Sequence, residues 1–90
     1  MKHEEIIQEL QDLAAQLNVT IRYERGDFEG GYCILKEKKI LLVNRRLIPV
    51  RKASVLATAL QEIGLDNVFL KPVLRAYIED EVAKAARSRK

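Results

Sequence analysis

The chain is expected to be an α+β protein, built as a helix, a three-stranded and mainly antiparallel sheet, and two further helices. Three observations predict this. Apolar residues recur at helical spacing near both ends, alternation with polar residues replaces that period in the middle, and each of the two prolines stands at the start of a later helical run. The plan centres on Gly30 to Asn44, where two runs rich in β-branched and aliphatic residues flank a polar Lys36-Glu37-Lys38-Lys39 connection. With Gly30-Gly31 at its entry, this is the pattern of a β-hairpin.

The first helix spans about Lys2 to Leu17. Ile6, Leu10, Leu13 and Leu17 form its stripe, Ile7 and Ala14 widen it, and Glu4 and Glu5 suit the positive end of the dipole. Asn18 is a C-cap residue tolerant of the left-handed conformation. The period then drops to two, with Val19, Ile21 and Tyr23 against Thr20, Arg22 and Glu24, a half-buried strand. Arg25 to Gly31 follows as a turn or loop.

In the hairpin, pairing Leu35 with Ile40 places Cys33, Leu35, Ile40 and Leu42 on one face and Tyr32, Ile34, Leu41 and Val43 on the other. Both sets are apolar, so both faces of the hairpin are expected to be covered, either by helices on each side or by helices on one side and a second copy of the chain on the other. The strand order stays open: the apolar run Ile40 to Val43 suggests a central strand, whereas a simple meander would centre the preceding one.

Pro49 opens the second helix, with Ala53, Leu56, Ala57, Leu60 and Ile63 inward and Gly64 as its stop. Leu65 to Leu70 is apolar enough to lie against the core. Pro72 opens the third helix, with Leu74, Tyr77, Ile78, Val82 and Ala85 inward, and residues 87–90 read as a frayed tail. The expected core is Ile6, Leu10, Leu13, Ile21, Ile34, Leu42, Leu56, Leu60, Leu74 and Ile78, each stabilising by roughly 1.5–3 kcal/mol when fully buried.

Ninety residues suffice for one domain, 1–90, near the size at which burial is limited and dimerisation adds stability. Forty-eight per cent apolar and 32% charged residues describe an ordinary globular protein, and a net charge of +3 permits an acidic partner without requiring one. One cysteine excludes an internal disulfide and suits a reducing cytoplasm; no membrane-spanning or export segment is expected.

Gly30-Gly31-Tyr32-Cys33, the strand ending in Asn44, the helix around Leu56-Ala57 and the Lys71-Pro72-Val73-Leu74-Arg75 start of the last helix together resemble a family of small uncharacterised bacterial proteins. The resemblance covers most of the chain and implies a shared fold and a bacterial setting, with no activity attached. The order helix, hairpin sheet, helix is also similar in topology to minimal zinc-metallopeptidase cores, whose helix after the hairpin bears His-Glu-x-x-His. Here that helix reads Ala57-Thr58-Ala59-Leu60-Gln61-Glu62, and the single histidine is His3, so neither a metal site nor a cofactor is expected.

No acid–base pair or activated nucleophile can be placed, and the chain is read as no enzyme. Cys33, mid-strand among aliphatic neighbours, is expected as a small core side chain. The one chemical cluster is basic: Arg45, Arg46, Arg51 and Lys52 bracket the start of the second helix, where exposed amide groups and four cations could hold a phosphate, a carboxylate or a nucleic-acid backbone. The simpler account is a solvated surface with ion pairs to Glu24, Asp27 or Glu29. Nucleic acid is not favoured, because Tyr32, Phe28 and Phe69 are not interleaved with the basic residues. The reading is a cytoplasmic interaction module, homodimeric through the apolar sheet face of Tyr32, Ile34, Leu41 and Val43 or meeting another protein there. Binding of an anionic ligand or nucleic acid is the alternative.

Overall fold

The structure, a computed structural model, describes residues 1–88. Its elements follow the expected order: α1 (His3–Gln16), β1 (Val19–Glu24), β2 (Gly30–Leu35), β3 (Lys38–Asn44), α2 (Pro49–Ile63) and α3 (Pro72–Ser88). Helix α1 ends where Asn18 takes a φ of 59°, and α2 ends at Gly64, whose φ of 117° would strain any other residue. Pro49 and Pro72 each occupy the first position of their helix. Of the expected tail, Arg87 and Ser88 are the last residues of α3, and Arg89 and Lys90 lie outside the described residues.

The sheet order is β1-β3-β2, with β1 parallel and β2 antiparallel to β3. Thus the strand that carries the apolar run Ile40 to Val43 is the central one, and the sheet is mixed, with one ladder of each kind. A meander is ruled out because the loop of residues 25–29 carries the chain past the end of β3 before β2 begins. Asn44 holds that crossing in place. Its Nδ2 donates to the carbonyls of Gly26 and Phe28 at 2.8 and 2.7 Å, its backbone N–H donates to Glu29 at 2.8 Å, and its Oδ1 accepts from the Arg46 N–H at 2.9 Å. A buried side-chain amide thus satisfies backbone groups that the irregular loop cannot pair with itself.

The hairpin turn is tighter than the four-residue connection expected. Leu35 pairs with Lys38, and Lys36 and Glu37 alone form the turn with φ of 51° and 68°, the signs of a type I′ turn. The register differs by two residues from the expected one, so the partition of side chains between the two faces is preserved.

All three helices lie on one side of the sheet. α2 packs on β2, β3 and both other helices, and α1 also covers β1. Leu41 and Val43 are fully buried beneath them, together with Leu10, Leu56, Leu60 and Ile78, and Val19, Ile21 and Tyr23 extend the same face. The opposite face, with Cys33 and Leu35 of β2, Ile40 and Leu42 of β3, and Thr20 and Arg22 of β1, has no helix over it, so the chain alone covers one face of the hairpin and not both. Ile34 and Leu42 therefore leave the expected core: Leu42 is half-buried, and Ile34 is 64% exposed because β2 is an edge strand and no helix reaches its far end. Cys33 is exposed for the same reason.

Candidate functional site

The four cations at the start of α2 do not converge. Arg45 and Arg46 are exposed in the turn after β3, where the Arg45 N–H is bound to the Glu24 carbonyl at 2.9 Å. Arg51 reaches towards β2 and meets the Glu29 carboxylate at 2.6 Å, whereas Lys52 leans the other way, 5.7 Å from the ring centroid of Tyr23 on β1. With β3 between those two strands, neighbouring side chains are drawn to opposite edges of the sheet. The Arg51–Glu29 pair is the surface ion pair that the simpler account anticipated. The helix start itself has no side-chain cap and no acidic residue in its first turn.

Of the four residues expected at an interface, Leu41 and Val43 are core residues under the helices, Tyr32 is half-buried and Ile34 is exposed. The burial that a sheet face needs is supplied to β3 by α2, and the apolar surface left over is concentrated on β2. Its pattern, Gly-Gly-Tyr-Cys-Ile-Leu, has no charge, proline or bulge, yet only Tyr32 is even half-buried, and Leu35 is 54% exposed. Charge, proline and bulges, which β2 lacks, are among the features that protect edge strands.

Beside β2 lies a groove of about 600 Å³ between α2 and α3, which the sequence did not reveal. Its floor is small and apolar, with Val55 and Ala59 from α2 and Val82 and Ala85 from α3. Gly30 lines its end, and a side chain there is impossible without movement: an added Cβ would stand 2.7 Å from Val55 Cγ1 and closer still to the Leu42 carbonyl oxygen. At Gly31, one residue on, an added Cβ would meet nothing within 4 Å.

Glu81 is the charged group of the groove wall. Burial pushes its carboxyl up, but hydrogen bonds from Lys84 and Ser54, with the charges of Lys84 and Arg51, outweigh burial and hold it below the usual range. Lys84 Nζ stands 3.0 Å from its Oε2. One turn earlier, burial and the nearby Glu81 charge push the Tyr77 hydroxyl up to about 12, and this buried oxygen has no hydrogen-bond partner among the described residues. The Thr58 hydroxyl donates within its own helix, to Ser54 at 3.0 Å and Val55 at 3.2 Å. An acid–base catalyst needs a group poised near the working pH, and both shifted groups are moved away from it.

His3 lies against the ring of Tyr77 and Cys33 on the open sheet face, and among the described residues no three histidine, cysteine or carboxylate side chains cluster as a metal site. No helix among them is long and apolar enough to cross a membrane. Compared with known proteins, the chain matches no family model, no curated protein and no solved structure.

Proposed function

We propose that this chain is a non-catalytic interaction module of the reducing bacterial cytoplasm that works as a homodimer, joined through the apolar edge strand β2. The observation that carries the reading is the exposure of β2: Ile34 and Leu35 point to opposite faces of the sheet and are 64% and 54% exposed, with the backbone edge between them unpaired. A strand that is apolar on both faces and open along one edge gains from a partner in two ways, by burial and by main-chain hydrogen bonds. The expected interface thus moves from Leu41 and Val43, which α2 already covers, to Ile34, Leu35 and the open side of Cys33.

One observation supports a binding role over a catalytic one: the two side chains with shifted protonation, Glu81 in the groove wall and Tyr77 one turn before it on α3, are both held in their ordinary forms, Glu81 ionised and Tyr77 neutral. The anion-binding alternative has less behind it, since Arg51 and Lys52 are engaged on opposite sides of α2.

Sedimentation equilibrium tests the reading. The parent is expected to be a dimer at high micromolar concentration, and Ile34→Lys combined with Leu35→Lys is expected to be a monomer there, with the parent's urea midpoint when both are compared at low concentration as single chains, in which both side chains are exposed. A parent that stays monomeric throughout that range ends the proposal.

A further inference from the structure

The homodimer reading leaves open how the two strands meet, and the hydrogen-bond phase of β2 narrows the choice. The Asn44 N–H donates to the Glu29 carbonyl at 2.8 Å, and the register places Glu29 opposite Asn44. Hydrogen-bonded pairs alternate along an antiparallel ladder, so Gly31, Cys33 and Leu35 turn their backbone groups inward to β3. Gly30, Tyr32 and Ile34 turn theirs to the open edge.

Resting on that reading, we infer that the second copy pairs antiparallel along this edge with Cys33 on the two-fold axis, so that Tyr32 faces the second copy's Ile34 and Gly31 faces its Leu35. A two-fold axis perpendicular to the sheet keeps the helices of both copies on the same side and requires one residue to face itself. With Cys33 in that place, Tyr32 and Ile34 form two hydrogen-bonded pairs, satisfying the outward N–H and C=O groups of both residues in each chain. Tyr32 and Ile34 share the helix-side face, where an aromatic residue beside a β-branched one is a favourable cross-strand pair. On the opposite face Leu35 is set against Gly31, the position where an added Cβ would meet nothing within 4 Å. Both strongly exposed residues of β2 gain a neighbour in this register.

The hydrogen-bond phase also allows other self-paired registers: with Ile34 on the axis Tyr32 would face Lys36 of the turn and not a strand residue, and the neighbouring alternative on the other side puts Tyr32 on the axis. It sets Leu35 opposite Glu29, an apolar side chain against a carboxylate, and leaves the space at Gly31 to the smaller Cys33.

Cys33 makes the register measurable. In a non-hydrogen-bonded antiparallel pair the two Cα atoms lie about 4.5 Å apart, within the reach of a disulfide. Treating the dimer with glutathione disulfide would convert two Cys33 thiols to one intersubunit disulfide, the oxidant being reduced to two molecules of glutathione as it takes up the two protons and two electrons. The expected result, at a concentration where sedimentation gives a dimer, is conversion of most of the 10.3 kDa band to one of twice that mass on a non-reducing gel. Dithiothreitol should reverse it, and Cys33→Ser should abolish it without changing the sedimentation. In a Cys33→Ser background, Tyr32→Cys is expected to cross-link far more slowly. A sedimenting dimer in which Tyr32→Cys cross-links and Cys33 does not would overturn the register and leave the homodimer reading standing; a monomer by sedimentation would end both.

Discussion

β2 and β3 are paired residue for residue in one hairpin and are about equally apolar, yet their surroundings differ sharply. Leu41 and Val43 are inaccessible to solvent, whereas Ile34 and Leu35 are 64% and 54% exposed. The difference lies in position and not in composition. β3 has a strand on either side and α2 above it, while β2 has one neighbour and a helix only at its Gly30 end, where Val55 approaches the backbone. In a chain of this size three helices cover one face of three strands and no more. An apolar strand at the rim is therefore surface that folding leaves available, and that availability is the basis of the interaction reading.

The largest test of the contrast truncates one residue from each strand. Leu41→Ala removes a fully buried side chain whose neighbours on α2 cannot all close the space, and should cost about 2–5 kcal/mol. Ile34→Ala, in the neighbouring strand of the same hairpin, should cost less than about 0.5 kcal/mol when measured on the monomer at low concentration. Urea denaturation gives both values. Similar losses would mean that β2 is held in the core of the single chain, and the proposed interface would lose its foundation.

A smaller effect is expected at Asn44, whose side chain clasps the loop that crosses the end of β3. Replacing it with Ala withdraws the donor from the Gly26 and Phe28 carbonyls and the acceptor from the Arg46 N–H. Leaving such partly buried groups unpaired should cost about 1–3 kcal/mol. Asn44→Asp is the finer probe, because it keeps the acceptor and loses the two donated bonds. If Asp were tolerated as well as Asn, the clasp would not be what holds the crossing loop.

How far the sequence could have led to this arrangement differs between regions. The helices were legible because each has an apolar stripe and a chemical boundary: Asn18 and Gly64 at C-termini, Pro49 and Pro72 at starts. Within the hairpin the faces were legible too, since a two-residue slip of register leaves period-2 alternation intact. What period cannot say is which face the helices choose when both are apolar, and so Leu42 is expected in the core in place of Leu41 and Val43; nor does it say which strand lies at the rim, and so Ile34, on the helix-side face, is expected to be buried. Asn44 gave one usable signal, a lone amide side chain directly after four apolar residues. The groove beside β2 gave none, because Ser54, Val55, Glu81 and Val82 meet only through the packing of α2 on α3. Nor does anything in the sequence bring Tyr23 beneath Lys52.

The last and smallest test concerns the turn that joins the two strands. Lys36 and Glu37 both sit at positive φ, in the left-handed region that side chains disfavour and glycine does not. Type I′ turns favour Asn-Gly at these positions. Glu37→Gly should relieve strain in the folded hairpin while adding freedom to the unfolded chain, and the net gain expected is about 0.5–1 kcal/mol. Because the turn anchors β2 to β3 at the end that no helix covers, the gain should appear first as slower hydrogen exchange of the Cys33 and Leu35 amides, whose backbone groups face β3, with the Leu41 and Val43 amides little changed. Equal slowing of all four amides would indicate that β2 and β3 open as one cooperative unit, and the contrast between the rim strand and the central one would then be a difference in burial alone, not in local stability.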